Sequence, residues 1–455
     1  MTSATTGAAG LAYDPHRTRR AVAVGIGNFM EWFDFSIYGF FAVAIGANFF
    51  PAGSASTQLL SALAVYGVAF LFRPLGGLVV GSLGDRFGRR FALSLSIIVM
   101  GVATFLIAVL PNEATAGVIA PILLVFLRAV QGFSAGGEWT GSAGFLIESA
   151  PKGHRSRTAA IVPMTAAIAV VVGALVAILI ESTVPADSIV TWGWRIPFLA
   201  ALPLALIGLY LRLKLEDTLV FTEMKSEGKV EAAPIRRMFR KNLRSVGIAF
   251  ALAAVTVLGY YYLATYVPTF LTTVAGLPRI EALTLVAIGV AIYAALCPVA
   301  GIVADKIGRK PVSLVGSIGL AVFAIPAFLL MATGNAFLAI LGIAIFGLFE
   351  ACHNVTSTTM LIELFPPETR ATGSAVGYNL GSALIAGPGP LIAAAIATAG
   401  IGAGAPAYYI VAVAIVVTVV VWRFLPETSG RELGTDVKDP WATAKDAKLA
   451  KAGVR

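Results

Sequence analysis

The sequence predicts an all-α membrane protein of twelve transmembrane helices in two pseudo-symmetric six-helix halves. Three observations carry that prediction. Of 455 residues, 58% are hydrophobic and 13% charged, against about 25% charged in a typical soluble domain, whose exterior must stay polar. Stretches such as 35–72, 245–278, 311–349 and 371–422 contain no Asp, Glu, Lys or Arg. Short charged motifs also recur in the same order in each half of the chain.

A spanning helix needs about 20 mostly apolar residues, so the longest uncharged stretches each hold two helices and a turn. Turns are predicted at 51–58, at Thr333-Gly334-Asn335 and at 400–405. The spans read as 21–46, 58–84, 91–111, 117–148, 158–180, 194–212, 244–272, 281–304, 312–332, 336–362, 371–398 and 406–424. The short alternating segments of a β-barrel do not occur. The first span is too long for a cleavable signal peptide and carries Glu31 and Asp34. Cys297 and Cys352 both fall inside spans and read as small apolar residues, not as a disulfide framework. The histidines (His16, His154 and His353) are scattered. No Cys/His spacing suggests a metal site and no nucleophile constellation suggests an enzyme.

The formal charge of +9 is a topology signal and not a nucleic-acid footprint. Every Lys and Arg except Arg73, Arg128, Arg195 and Arg279 lies on the side shared by the termini and the even-numbered loops. That side is cytoplasmic by the positive-inside rule. The expected organisation is a cytoplasmic tail at 1–20, a six-helix half at 21–212, a charged cytoplasmic linker at 213–243, a second half at 244–424, and a cytoplasmic tail at 425–455 without a sustained heptad pattern. The expected setting is the cell membrane, multi-pass, with the lipid bilayer and a small-molecule substrate as partners and no obligate protein partner.

The repeat lies in the loops. Gly81-Ser-Leu-Gly-Asp85-Arg86-Phe-Gly88-Arg89-Arg90 follows span 2, and Gly301-Ile-Val-Ala-Asp305-Lys306-Ile-Gly308-Arg309-Lys310 follows span 8. After spans 4 and 10 stand Glu148-x-x-Pro151-x-x-x-Arg155 and Glu363-x-x-Pro366-x-x-x-Arg370. A weaker echo, Glu216-Asp217-Thr218 and Pro426-Glu427-Thr428, closes each half. Three pairs in one order indicate a duplicated six-helix unit. Gly88 and Gly308 permit tight turns, and the aspartates can accept hydrogen bonds or pair with the basic cluster. Asp85, Arg86, Gly88, Arg89, Asp305, Lys306, Gly308, Arg309, Glu148, Arg155, Glu363 and Arg370 are therefore candidate gating residues, latching the halves on the cytoplasmic face.

A charge at mid-bilayer costs about 2.5–3.5 kcal/mol even on the lenient insertion scale, so ionisable residues inside spans are functional candidates. Asn28, Glu31, Asp34 and Tyr38 fall within about a third of the circumference of span 1. At 1.5 Å per residue, Glu31 lies about 15 Å from the cytoplasmic end, Asp34 about 20 Å, Arg73 about 18 Å, Glu138 about 15 Å and Arg128 about 30 Å. The expectation is that Asp34, with Glu31 close by, carries a coupling proton and that Arg128 or Arg73 is its counter-ion. Protonation would then bias two access states. The proton is the only cofactor-like species expected. Candidate substrate contacts are Asn28, Trp32, Tyr38, Gln131, Glu138, Trp139, Tyr262, Tyr266, Glu350, His353 and Asn354, with aromatic rings suited to an ammonium group.

Several motifs resemble one family. Asn28-Phe-Met-Glu31-Trp32-Phe33-Asp34-Phe35, Arg73-Pro74-Leu-Gly76-Gly77, Gln131-Gly132-Phe-Ser-Ala-Gly136-Gly137-Glu138-Trp139 and Trp192-Gly193-Trp194-Arg195-Ile-Pro197-Phe198 resemble the metabolite:proton symporters of the major facilitator superfamily, from about residue 20 to 428. The resemblance implies the major facilitator fold and proton-coupled import of small carboxylate-bearing metabolites. Thr140-Gly141 after Trp139 and Tyr261-Tyr262-Leu-Ala-Thr265-Tyr266-Val-Pro268 resemble the proline/betaine branch, which implies zwitterionic osmolytes. Arg128 stands where that branch carries Lys and organic-acid relatives carry Arg. The alternative is therefore symport of an organic acid such as 2-oxoglutarate, shikimate or citrate.

Overall fold

A computed structural model describes residues 15–433, and all regular structure in them is helical. Eleven helices are long and apolar enough to cross a membrane. A twelfth span is a bent pair, Ala21–Phe40 and Ala42–Phe49, meeting at 69°. The predicted spans match the helices within a few residues, from Thr57–Phe87 for span 2 to Ala405–Phe424 for span 12.

The break in span 1 was not expected from the sequence, which reads as one continuous span. A bend this sharp frees backbone carbonyls that need other donors. The Arg279 guanidinium, from the start of span 8, donates to the Phe40 carbonyl at 2.6 Å. Spans 7 and 11 each carry a π-turn, at Tyr262–Tyr266 and Ser382–Ala386, a distortion frequent at functional sites.

Local chemistry sets the helix ends. Gly88 (φ 100°) and Gly308 (φ 105°) alone separate spans 2 and 3 and spans 8 and 9. Ser54 and Asn335 cap spans 2 and 10 by accepting from the Thr57 and Leu338 amides. The charged linker carries two short helices, Leu219–Ser226 and Pro234–Lys241. Arg237 ties it down through Glu231 (2.9 Å) and Glu368 (3.1 Å).

The bundle has an apolar exterior and a polar seam inside, as lipid requires. Leu71, Phe126, Leu179, Leu391, Val416 and Trp422 are exposed on the outside. Glu31, Asp34, Arg73, Arg128, Glu138 and Glu350 are buried. Spans 2 and 4 approach so closely that a Cβ on Gly132 would lie 1.9 Å from the Ala69 carbonyl oxygen, and one on Gly76 1.8 Å from that of Phe133. Glycine at these positions brings the spans carrying Arg73 and Arg128 together.

Candidate functional site

Two ion pairs occupy the middle of the first half. Arg128 donates to Asp34 Oδ2 at 2.7 Å and to Gln131 Oε1 at 2.7 Å. Asp34 Oδ1 also accepts from Gln131 (2.8 Å) and Thr104 (2.9 Å). Arg128 and Gln131, one turn apart, share a helix face, and the guanidinium lies 3.7 Å from the Tyr38 ring centroid. The depth ruler separated Asp34 and Arg128 by two turns; helix tilt and the long arginine close that gap. Arg73 instead serves Glu31, at 2.8 Å. Its Nε donates to Asn379 Oδ1 of span 11 at 3.3 Å, which links the pair to the second half.

A third buried pair joins Glu138 to Arg212. Arg212 also donates to the Ala23 and Leu93 carbonyls. The sequence counts Arg212 among the basic residues of the cytoplasmic side, because an arginine ending a span resembles any cytoplasmic anchor. Asn379, a polar residue inside an uncharged run, could have been found by scanning spans for amides. Thr104 gave no signal, since an isolated threonine is ordinary in a span.

Above these pairs lies an aromatic layer between the halves. Trp32 packs edge-on against Tyr260 with ring centroids 4.6 Å apart, and lies 5.9 Å from both Trp139 and Tyr261. Trp139 stacks on Tyr378 at 5.6 Å. A cavity of about 130 Å³ starts at Trp32 and Tyr66 and runs past Thr265 and Thr269 to Arg279 and Leu283, away from the Gly88 and Gly308 turns. At its mouth Arg279 pairs with Glu181 at 3.0 Å.

Several predicted substrate contacts are committed elsewhere. Asn28 donates to the Val162 carbonyl (2.7 Å) and to Thr165 (2.9 Å), holding span 1 to span 5. Tyr38 donates to the Ala62 carbonyl at 3.1 Å and supports Arg128. Gln131 and Glu138 belong to the ion-pair networks just described. Tyr262 and Tyr266 donate to the Pro406 and Ala393 carbonyls and pack on Phe328. The π-turn beginning at Tyr262 coincides with this divergence: Tyr260 and Tyr261 face the seam and Tyr262 does not. Glu350 and Asn354 bond each other at 3.1 Å, while His353 contacts Ser313 and the Leu252 carbonyl. Of the predicted set, Trp32 lines the cavity, and Trp139 packs directly behind it.

The repeated motifs meet at the end that carries the Gly88 and Gly308 turns, here termed the basic end. Asp85 crosses to the second half and accepts from the Ala371 amide (3.0 Å), the Thr372 amide (2.8 Å) and the Thr372 hydroxyl (2.6 Å). Asp305 crosses the other way to the Ser156 (2.9 Å) and Arg157 (3.1 Å) amides. Glu148 pairs with Arg370 at 3.1 Å and Glu363 with Arg155 at 3.3 Å, again across the halves. The third echo completes each copy. Asp217 accepts from the Arg89 amide, and Glu427 from the Arg309 amide, both at 3.0 Å. Thr218 donates to Glu148 (2.7 Å) and Thr428 to Glu363 (2.6 Å). Two predicted members fall outside: Arg86 is exposed beside Phe87, and Lys306 is exposed. Helix rotation turns them outward while Asp85 and Asp305, one residue earlier, point in.

The sequence pattern of the Major Facilitator Superfamily matches residues 24–388 and again 298–451. The chain belongs to the Major Facilitator Superfamily. Among relatives in this superfamily, the proline/betaine transporter of Salmonella typhimurium is 37% identical over 394 residues, 84% of this chain and 78% of that one. The glycine betaine/proline/ectoine/pipecolic acid transporter of Dickeya dadantii is 38% identical over 395 residues, with the same coverage. The proton:xylose symporter bound to 6-bromo-6-deoxy-D-glucose superposes with a TM-score of 0.78 at 18% identity, over 92% of this chain and 97% of that one. That likeness shows the fold. The protein is thus a multi-pass membrane protein whose relatives are transporters.

Proposed function

We propose that this protein imports small zwitterionic osmolytes, proline or glycine betaine, across the cell membrane together with protons. It requires no cofactor beyond the coupling proton and no obligate protein partner, and it moves its substrate without converting it. The carrying observation is the aromatic layer of Trp32, Trp139, Tyr260, Tyr261 and Tyr378, set directly beside the Glu31–Arg73 pair. Ring faces attract an ammonium or trimethylammonium group, by roughly 2 kcal/mol or more when desolvated. Arg73, whose Nη1 has no partner among the described residues, offers a nearby N–H donor to a substrate carboxylate. A zwitterion has both ends. The relatives' names support this reading.

Topology follows from charge: the basic end faces the cytoplasm, with both termini on that side. In this conformation the latch at that end is closed, and the cavity lies toward the outside. Coupling operates at the first-half pairs. Protonating Asp34 or Glu31 weakens its hold on the arginine and changes the relative energy of the two access states. Among the described residues Asp34 accepts three hydrogen bonds and Glu31 one, with Glu31 Oε2 unpartnered. Glu31 is therefore the more available acceptor here.

The alternative, organic-acid symport, draws on Arg279 at the cavity mouth. Counterflow in proteoliposomes decides between them. Exchange of labelled glycine betaine and not of 2-oxoglutarate supports the proposal; the reverse overturns it.

A further inference from the structure

Glu350 differs from every other acid in the membrane interior. Asp34, Glu31 and Glu138 each face an arginine. Glu350 sits at the middle of span 10 (Ala336–Glu363), fully buried. Its Oε1 accepts from Asn354 at 3.1 Å, and its Oε2 has no partner among the described residues. Span 7 closes over it. A Cβ on Gly259 would lie 2.0 Å from Oε2, so the backbone of span 7 passes close over the carboxyl at a glycine.

The groups that face it are neutral. Tyr260 comes from span 7, Tyr293 and Cys297 from span 8, and Tyr378 from span 11. Span 9 offers no ionisable side chain between Lys310 and its end at Met331. On its own helix, His353 is turned away to Ser313 and the Leu252 carbonyl. Glu138, from span 4, is held by Arg212, and the charges of Arg155, Arg309 and Arg370 are engaged at the basic end. An ionised carboxylate here would lack a counter-charge, which a low-dielectric interior penalises heavily. Glu350 is nevertheless close to the cavity. Tyr260, whose hydroxyl has no partner among the described residues, packs on Tyr293 at 5.8 Å and on Trp32, a cavity-lining residue, at 4.6 Å.

We propose that Glu350 is a second proton-binding site, in the half of the molecule whose described residues form no buried ion pair at mid-membrane. It rests on the proton-coupled reading above. With the basic end latched, a proton from water in the outer cavity forms an O–H bond at Oε2 and the carboxyl is neutral. When the latch opens, the seam hydrates from the inside, that bond breaks, and the proton passes to inner water. Span 7 covers the acid at Gly259 with no counter-charge among the described residues, which disfavours the ionised form there, so protonation favours the conformation seen here.

The test uses the full-length protein in lipid vesicles, as wild type, Glu350→Gln and Glu350→Asp. Infrared spectra of wild type should contain a protonated-carboxyl band that Glu350→Gln lacks; absence of any such difference overturns the assignment. Glu350→Gln, a permanently neutral mimic, should retain glycine betaine counterflow, which needs no deprotonation, and lose accumulation driven by a proton gradient. Glu350→Asp should regain part of that accumulation. Wild-type accumulation in Glu350→Gln overturns the proposal. So does loss of counterflow in a variant with an unchanged unfolding midpoint, which would make Glu350 a substrate contact. A wild type that shows the band but no betaine counterflow sinks the zwitterion reading and leaves the proton on Glu350.

Discussion

At the residue scale, the buried pairs are coupled charges whose partners cannot be removed singly. Arg128→Gln leaves Asp34 in the bilayer interior with only neutral donors, Gln131 and Thr104. Breaking a buried pair in this way costs about 3–5 kcal/mol. The single variant should lose most of its thermal stability in detergent, and Asp34→Asn/Arg128→Gln should recover much of it. Neither should accumulate substrate on a proton gradient; accumulation by the double variant would remove this pair from the coupling mechanism. Arg212→Lys should also lose stability, although it keeps the charge. One ammonium cannot reproduce a fork that serves both Glu138 oxygens and two carbonyls.

At the element scale, close packing and local caps decide. Gly132→Ala pushes a methyl group into the Ala69 carbonyl, and overpacking of that kind costs typically about 1–3 kcal/mol. Gly247→Ala in span 7 meets nothing within 4 Å and should be neutral or slightly stabilising. Unfolding midpoints of the two variants compare them directly. The linker is held more loosely. Hydrogen bonds from Arg237, with an added one from the Ala233 amide, hold the Glu231 carboxyl below the usual glutamate range. Its contribution to stability is present at neutral pH and disappears as pH falls through that lowered value. Glu231→Gln should therefore cost under about 1 kcal/mol at pH 7, with no difference from wild type in strong acid. A cost that persists in acid would place the effect elsewhere than the ion pair.

At the scale of the whole molecule, two copies of one network hold the basic ends together. Asp85 and Asp305 accept backbone donors from the opposite half, and Glu148 and Glu363 pair across the seam. Hydrogen bonds to a charged group contribute about 1.5–3 kcal/mol each. Asp85→Asn should thus shift the access equilibrium tenfold or more toward an open basic end. Spin labels at the exposed positions Phe87 and Ile307, with Cys297 and Cys352 replaced, would report a longer distance. An unchanged distance distribution would mean that Asp85 does not set that equilibrium.

Twelve spans, two halves and a basic face were legible in the sequence because lipid admits few solutions. An uncharged run of sufficient length must be a helix, and duplicated loop motifs reveal a duplicated unit. The acids and arginines inside the spans stood out for the same reason. Their partners did not, because pairing depends on tilt, rotation and side-chain reach. Only the assembled bundle joined Arg73 to Glu31, gave Glu138 to Arg212 and linked Asn379 to Arg73. It also turned Tyr262 and Tyr266 away from the cavity, and it left Glu350 without a counter-charge. Hydropathy is a property of single segments and is read locally; an ion pair is a property of several packed helices, so it exists only once they meet.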